Sequence, residues 1–167
     1  MRLGTSWRTM SDLDLSAVEA IAGQVHQDFY ESPDVLAEKR RLYPNGAHIL
    51  ELEERTVGYI LSHPFRANDI PPLNRLLVDL PDNAATFYIH DLALLPVARR
   101  IGAAQFILGA LEKHATAQGF ATMSLVAVNG SQGFWAKQGF ATEDIPELAG
   151  KLLSYEADAR YMVRRLD

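Results

Sequence analysis

The chain has 167 residues, 48% hydrophobic and 22% charged, and its 16 Lys and Arg against 21 Asp and Glu leave a net charge of −5. That length buries about 70% of the unfolded surface in one core, so a single domain over 1–167 is expected, and the composition excludes disorder, collagen and coiled coil. The negative balance argues against a general nucleic-acid or membrane surface, and the lack of any cysteine excludes disulfides, thiolate metal sites and a cysteine nucleophile.

In chain order, a short strand is predicted around Leu3–Thr9. Ser11 or Asp12 then caps an amphipathic helix carrying Leu15, Val18, Ile21, Ala22 and Val25 on one stripe. Pro33, suited to a first helical position, opens a second helix towards Tyr43, ended by Pro44-Asn45-Gly46. Ala47–Leu52 and Thr56–His63 read as an antiparallel hairpin. Four prolines between Pro64 and Ala84 predict a long loop, functional or mobile at that length. Ala85–Leu95 is a near-continuously apolar strand, hence central and buried on both faces. After Pro96, Ile101, Ala104, Leu108, Leu111 and Ala115 mark a strong helix that stops at Gly119. A buried strand, Met123–Val128, leads to a short helix capped by Ser131, then a loop with Pro146, then a terminal strand, Arg160–Leu166. The order implies one α/β unit on a mixed sheet. No apolar run nears the ~20 residues of a membrane span, and no secretory pattern precedes Asp12, so a cytoplasmic protein is expected.

The segment from Leu94 to Ala104 runs from a buried strand through a turn into a helix whose first turn holds only small residues. Small side chains there allow either close helix–sheet packing or the approach of a phosphate to about four unpaired backbone amides. Arg99 and Arg100 oppose the helix dipole at this entrance unless an anion sits between them. Neither the P-loop pattern nor the dinucleotide glycine pattern is present.

Arg99-Arg100-Ile101-Gly102-Ala103-Ala104 resembles the Q/R-x-x-G-x-G/A signature of the GNAT superfamily of acyl-CoA-dependent N-acetyltransferases, complete with the preceding strand and Pro96. Val128-Asn129-Gly130-Ser131-Gln132-Gly133-Phe134-Trp135-Ala136-Lys137-Gln138-Gly139-Phe140 is similar to the second signature of that superfamily, and the likeness covers nearly the whole chain in order. The resemblance implies a mixed, mainly antiparallel α/β (α+β) sheet of six to seven strands with flanking helices and two central parallel strands that splay apart. Acetyl-CoA would lie in the gap as co-substrate. Its pyrophosphate would rest on the amides of Arg100, Gly102, Ala103 and Ala104, with Arg99 at the same turn. Backbone groups of Leu92 and Leu94 would pair with the pantetheine arm, Asn129 would lie near it, Phe134 and Trp135 would shape the tunnel, and Lys137 would lie near the nucleotide.

Acetyl transfer to an amine needs a neutral amine, a stabilised oxyanion and a proton for the departing thiolate. In relatives a carboxylate often stands just before the pantetheine contacts, where this chain has His90-Asp91. His90 is the first candidate for the base, because it shares strand parity with Leu92 and Leu94 and titrates near neutrality. Asp91 then faces away, orienting a neighbour, unless the strand bulges. Trp135 stands where the family often has a proton-donating tyrosine, which leaves water, Tyr88 or Tyr161 for the thiolate. The resemblance points to Phe29, Tyr30, Glu31, His63, Phe65 and Asp69 for the acceptor, a small-molecule or peptide primary amine held by charge and cation–π contact. His26, His48 and His114 have no metal spacing, so no metal is expected. The missing tyrosine makes a catalytically silent acyl-CoA-binding sensor the second reading, and the terminal strand or proline loop is a candidate homodimer surface.

Overall fold

The computed structural model describes residues 1–167. Seven strands form one sheet in the order β1-β2-β3-β4-β5-β7-β6. They are β1 (Thr5–Thr9), β2 (Ala47–Leu52), β3 (Arg55–Phe65), β4 (Thr86–Leu94), β5 (Thr122–Ala127), β6 (Ala141–Thr142) and β7 (Arg160–Arg165). Every neighbouring pair is antiparallel except β4 and β5, which run parallel. The helices are α1 (Leu15–Val25), α2 (Pro33–Leu42), α3 (Ala103–Ala117), α4 (Gln132–Lys137) and α5 (Ala149–Tyr155). None is long and apolar enough to cross a membrane.

Period-2 alternation of the central strands divides the core between the two faces. Ile60, Phe87, Ile89, Met123, Leu125 and Ala127 pack beneath Ile107, Leu108, Leu111 and Ala115, the apolar stripe of α3. On the opposite face Ile49, Tyr59, Leu61 and Ala93 meet Val18 and Ile21 of α1 and Leu36 of α2.

Two irregularities of β4 position everything that follows. Leu61 pairs with Asp91 and Ser62 with Ile89, so His90 is an extra residue, a β-bulge. The parallel ladder with β5 holds only at Phe87↔Met123, Tyr88↔Ser124 and Ile89↔Leu125, and beyond Ile89 the two strands part.

The structure departs from the sequence expectations in three segments. Pro64 and Phe65 extend β3 rather than starting the loop. The proline is tolerated because β2 ends opposite Leu61, which leaves this stretch of β3 an edge on the side its missing N–H faces. The loop around Pro146 contains α5. None of its residues is fully buried, and it turns only Leu152 and Tyr155 onto the cluster of Leu148, Phe65, Tyr88 and Tyr161, a stripe too short to read as a helix. Finally, Ala141–Thr142 adds a two-residue edge strand beside β7.

Candidate active site

The parting of β4 and β5 opens a cavity of about 950 Å³. His90, Asp91, Leu92 and Leu94 lie on one wall; Arg99, Arg100, Gly102, Ala103 and Ala104 lie at one end; Asn129, Phe134, Trp135 and Lys137 lie opposite. These are all the residues expected from the sequence to hold the cofactor or act on it.

At the arginine end the chain turns through two left-handed positions, Arg100 at φ +61° and Gly102 at φ +81°. Glycine adopts that conformation without steric cost, and a Cβ at Gly102 would meet nothing nearer than the Met1 backbone at 3.9 Å, so the turn stands open. Gly102 is the N-cap of α3, so its amide and those of Ala103, Ala104 and Gln105 have no acceptor within the helix. The helix dipole adds partial positive charge at the same place. Trp7 Nε1–H donates to Ala103 O at 2.9 Å and fixes this end of α3 against β1. Four free donors, small side chains and two arginines fit a pyrophosphate.

Along the gap, Leu92 and Leu94 pair with β3 on one side and have no β5 partner on the other. A second strand-like chain such as pantetheine therefore has backbone groups to meet, although the Leu94 carbonyl already accepts Arg99 Nε–H at 3.0 Å. Across the gap Asn129 turns at φ +56° and donates its N–H to Glu156 at 2.9 Å. Phe134 and Trp135 meet edge to face at 5.0 Å, and Trp135 packs in the same way on Phe140 at 5.5 Å. Neither Tyr88 nor Tyr161 lines the cleft. Tyr88 is buried in the apolar interior, and the Tyr161 hydroxyl accepts the Asn68 N–H at 3.1 Å, so neither reaches a thiolate there.

The bulge overturns the expected parity. Phe87, Ile89 and Leu92 face α3, whereas Tyr88, His90, Asp91 and Ala93 face the side of α1 and α2. His90 thus does not share a face with Leu92, and Asp91 does not point away from His90. His90 Nε2 meets Glu31 Oε1 at 2.5 Å, its Nδ1 is buried without a partner, and its side chain is 3% exposed. Asp91 accepts a very short bond from the Tyr59 hydroxyl, and its other oxygen lies 2.5 Å from His26 Nε2.

A second cavity of about 310 Å³, between the end of α1 and the start of α2, is walled by Glu19, Gln27, Phe29, Tyr30, Glu31 and neighbouring apolar groups, and by His26 and Asp91. Of the expected acceptor residues, Phe29, Tyr30 and Glu31 are here. His63 and Phe65 are not: both are buried, at 0% and 4% exposure, packed on each other and on Tyr88. Burial pushes His63 down to about 3, so it stays neutral. Asp69 pairs with Arg66 and Lys151 instead.

Charges around the junction are tightly coupled. Burial raises the Glu31 pKa, but His90 and Lys39 outweigh it and hold the carboxyl down at about 2. Burial also disfavours the imidazolium of His26, yet Asp91 and Glu31 more than offset this and raise its pKa above 6.5. The Tyr59 phenol is raised well above 10 by burial and by Asp91. Lys39 is fully buried with its Nζ unpartnered, and burial lowers its pKa against the pull of Glu31, Glu38 and Asp91. Sequence reasoning missed His26, Tyr59 and Lys39. The signal for His26 was present: it lies four residues after Ala22, on the inward stripe of α1.

Comparison with known proteins agrees with this geometry. The sequence profile of the family described as Acetyltransferase (GNAT) matches residues 13–140. Among solved structures the chain resembles Ard1 from Thermoplasma volcanium (TM-score 0.75, 18% identity, 99% of each chain covered). It also resembles N-acetylglutamate synthase from Neisseria gonorrhoeae complexed with coenzyme A and N-acetyl-glutamate (TM-score 0.74, 19% identity), covering 100% of this chain and 36% of that one. A third likeness is to Arabidopsis thaliana Naa50 with a bisubstrate analogue (TM-score 0.68, 17% identity, 96% of this chain and 97% of that one). At these identities the likeness is one of fold. No curated protein matches the chain in sequence.

Proposed function

The chain belongs to the acetyltransferase (GNAT) family, and within it we propose an N-acetyltransferase that moves an acetyl group from acetyl-CoA directly to a primary amine with no carboxylate beside the reacting nitrogen. The observation that carries this reading is the junction of the two cavities: His26 and Asp91 line both. A thioester lying along the large cleft and an amine in the small cavity would meet there.

Acetyl-CoA supplies an activated acyl group. The residues of the chain bind and orient it: the α3 amides and Arg99 and Arg100 take the phosphates, Leu92 and Leu94 the pantetheine arm, and Trp135 seals the far wall. Glu19, Glu31 and Asp91 make the acceptor cavity acidic, and no Lys or Arg lines it. A cation is therefore drawn in, Phe29 and Tyr30 offer ring faces to it, and a carboxylate next to the amine is repelled. A peptide N-terminus, a lysine side chain or an alkylamine satisfies these conditions, and a free amino acid does not. The ammonium must lose its proton at the junction that His26 and Asp91 line, next to His90. With Tyr88 and Tyr161 outside the cleft, water protonates the thiolate.

The test is thiol release from acetyl-CoA with a panel of an alkyl diamine, a short peptide with a free N-terminus, and glutamate. Amine-dependent release with the first two and not with glutamate is expected. Coenzyme A that raises the melting temperature without any amine-dependent thiol would make the protein a silent acyl-CoA binder. Glutamate as the best acceptor would overturn the acceptor class, and no thermal shift with coenzyme A would remove the cofactor assignment.

A further inference from the structure

His26 follows the last residue of α1, and its backbone N–H still closes that helix on Ala22 O at 2.8 Å. The ring is therefore held by a helix end rather than by a loop, and its side chain is 20% exposed. Nε2 is buried against Asp91 Oδ1 at 2.5 Å, off the direction of an ideal hydrogen bond; Nδ1 makes no bond within the chain and is not among its buried polar atoms. A carboxylate this close to Nε2 favours, by charge, the tautomer with the proton on Nε2, which leaves the lone pair on Nδ1, on a ring that lines both cavities. His90 lacks this arrangement, because Glu31 occupies its Nε2 and its Nδ1 is sealed.

We propose that His26, oriented by Asp91, is the catalytic base that takes the proton from the acceptor ammonium. The inference rests on the transferase reading above and names a residue for its proton step. The ammonium gives one proton to Nδ1, and the freed lone pair forms the N–C bond. The C–S bond breaks with its electron pair on sulfur, the second amine proton reaches the thiolate through water, and His26 returns its proton to solvent. Asp91 and the Tyr59 hydroxyl that bonds it are positioning groups.

The groups facing His26 are Asp91 from β4, Glu31 from the link between α1 and α2, and Glu19 from α1 on the same cavity wall. Lys39 of α2 and His90 stand behind Glu31. Carboxylates dominate this set, so the imidazolium is favoured and the base is free only above its raised pKa. Activity should therefore fall on an acid limb that belongs to His26.

The experiment compares wild type, His26→Ala, His26→Gln and Asp91→Asn. Both His26 variants should lose about 10²-fold or more in kcat with an alkylamine near neutral pH, with coenzyme A affinity retained and the acid limb abolished. The loss should shrink with an acceptor of low pKa, which arrives already neutral; a structural defect would not follow the amine. In the protein without ligand, NMR titration of the His26 ring should show its midpoint moving to lower pH in Asp91→Asn, since burial is then unopposed. Wild-type kcat and acid limb in His26→Gln, or an unmoved midpoint in Asp91→Asn, would overturn the assignment. Wild type with no thiol release would fell the transferase reading itself, whereas an active wild type with an unaffected His26→Gln fells only the base.

Discussion

Glu31 ties the site to the long loop, and Glu31→Gln tests how much that tie is worth. One carboxylate oxygen meets His90 Nε2 at 2.5 Å, the other accepts the Asn74 N–H at 3.0 Å, and the side chain is 6% exposed. The drop of its pKa from 4.5 to about 2, at about 1.4 kcal/mol per pH unit, corresponds to about 3 kcal/mol of stability at pH 7. Because the folded pKa is depressed, this stabilisation is complete above pH 4.5 and is lost as pH falls through about 2. Urea unfolding, followed by the fluorescence of Trp7 and Trp135, should find the variant about 3 kcal/mol weaker at pH 7. The gap should have closed by about half near pH 3.3, because the unfolded wild-type chain takes up a proton there that the folded carboxylate still refuses and the amide never binds. A gap constant with pH, or one below about 1 kcal/mol at pH 7, would refute the pairing.

Three further outcomes follow from specific contacts. Gly46→Ala should cost about 3 kcal/mol or more in chemical denaturation, since a Cβ there would stand 2.0 Å from the Ser62 carbonyl oxygen and backbone must move; a loss under about 1 kcal/mol would contradict this. Gly102→Glu should raise the Kd for coenzyme A at least about tenfold by calorimetry, through an added carboxylate at the proposed phosphate cradle and a side chain at φ +81°; unchanged affinity would dismiss the cradle. Glu38→Ala should accelerate hydrogen exchange of the Leu77 and Val78 amides, which the Glu38 carboxylate accepts at 2.5 and 2.9 Å, and cost about 2 kcal/mol; unaltered exchange would mean that the loop is held elsewhere.

What the sequence made legible is what local chemistry decides. The stripe of α3, the hairpin of β2 and β3, and the turn from Leu94 to Ala104 rest on neighbours within a few residues, and the structure brings the cofactor candidates into one cleft. Exposure is a different matter, because it depends on what packs from afar. His63 and Phe65 sit in a strand that reads as leading into the acceptor loop, yet Tyr88 and the apolar groups around it cover them. His26 reads in sequence as a histidine without metal spacing, because its partner, Asp91, lies on a distant strand. Short α5 turns only Leu152 and Tyr155 inward, too brief a stripe to mark a helix.

The bulge at His90 enters the sequence reading only as the alternative to a regular strand, yet the sequence contains its cause. In Phe87-Tyr88-Ile89-His90-Asp91-Leu92 two polar residues stand side by side within a buried strand. Strict alternation would drive one of them into the apolar layer of Ile107, Leu108 and Leu111 beneath α3. An unpaired carboxylate there would cost several kcal/mol, and a neutral imidazole without a partner about 1–3 kcal/mol. One extra residue removes the conflict: it turns both side chains towards Glu31, Tyr59 and His26, where each finds a partner, and returns Leu92 to the α3 side. The ladder with β5 ends at Ile89, the residue just before the bulge, so the irregularity that relieves the strand also begins the cleft. Adjacent polar residues in an otherwise apolar central strand are thus a readable demand for a bulge. Here that demand locates both the gap proposed for the cofactor and the junction at which an acceptor would meet it.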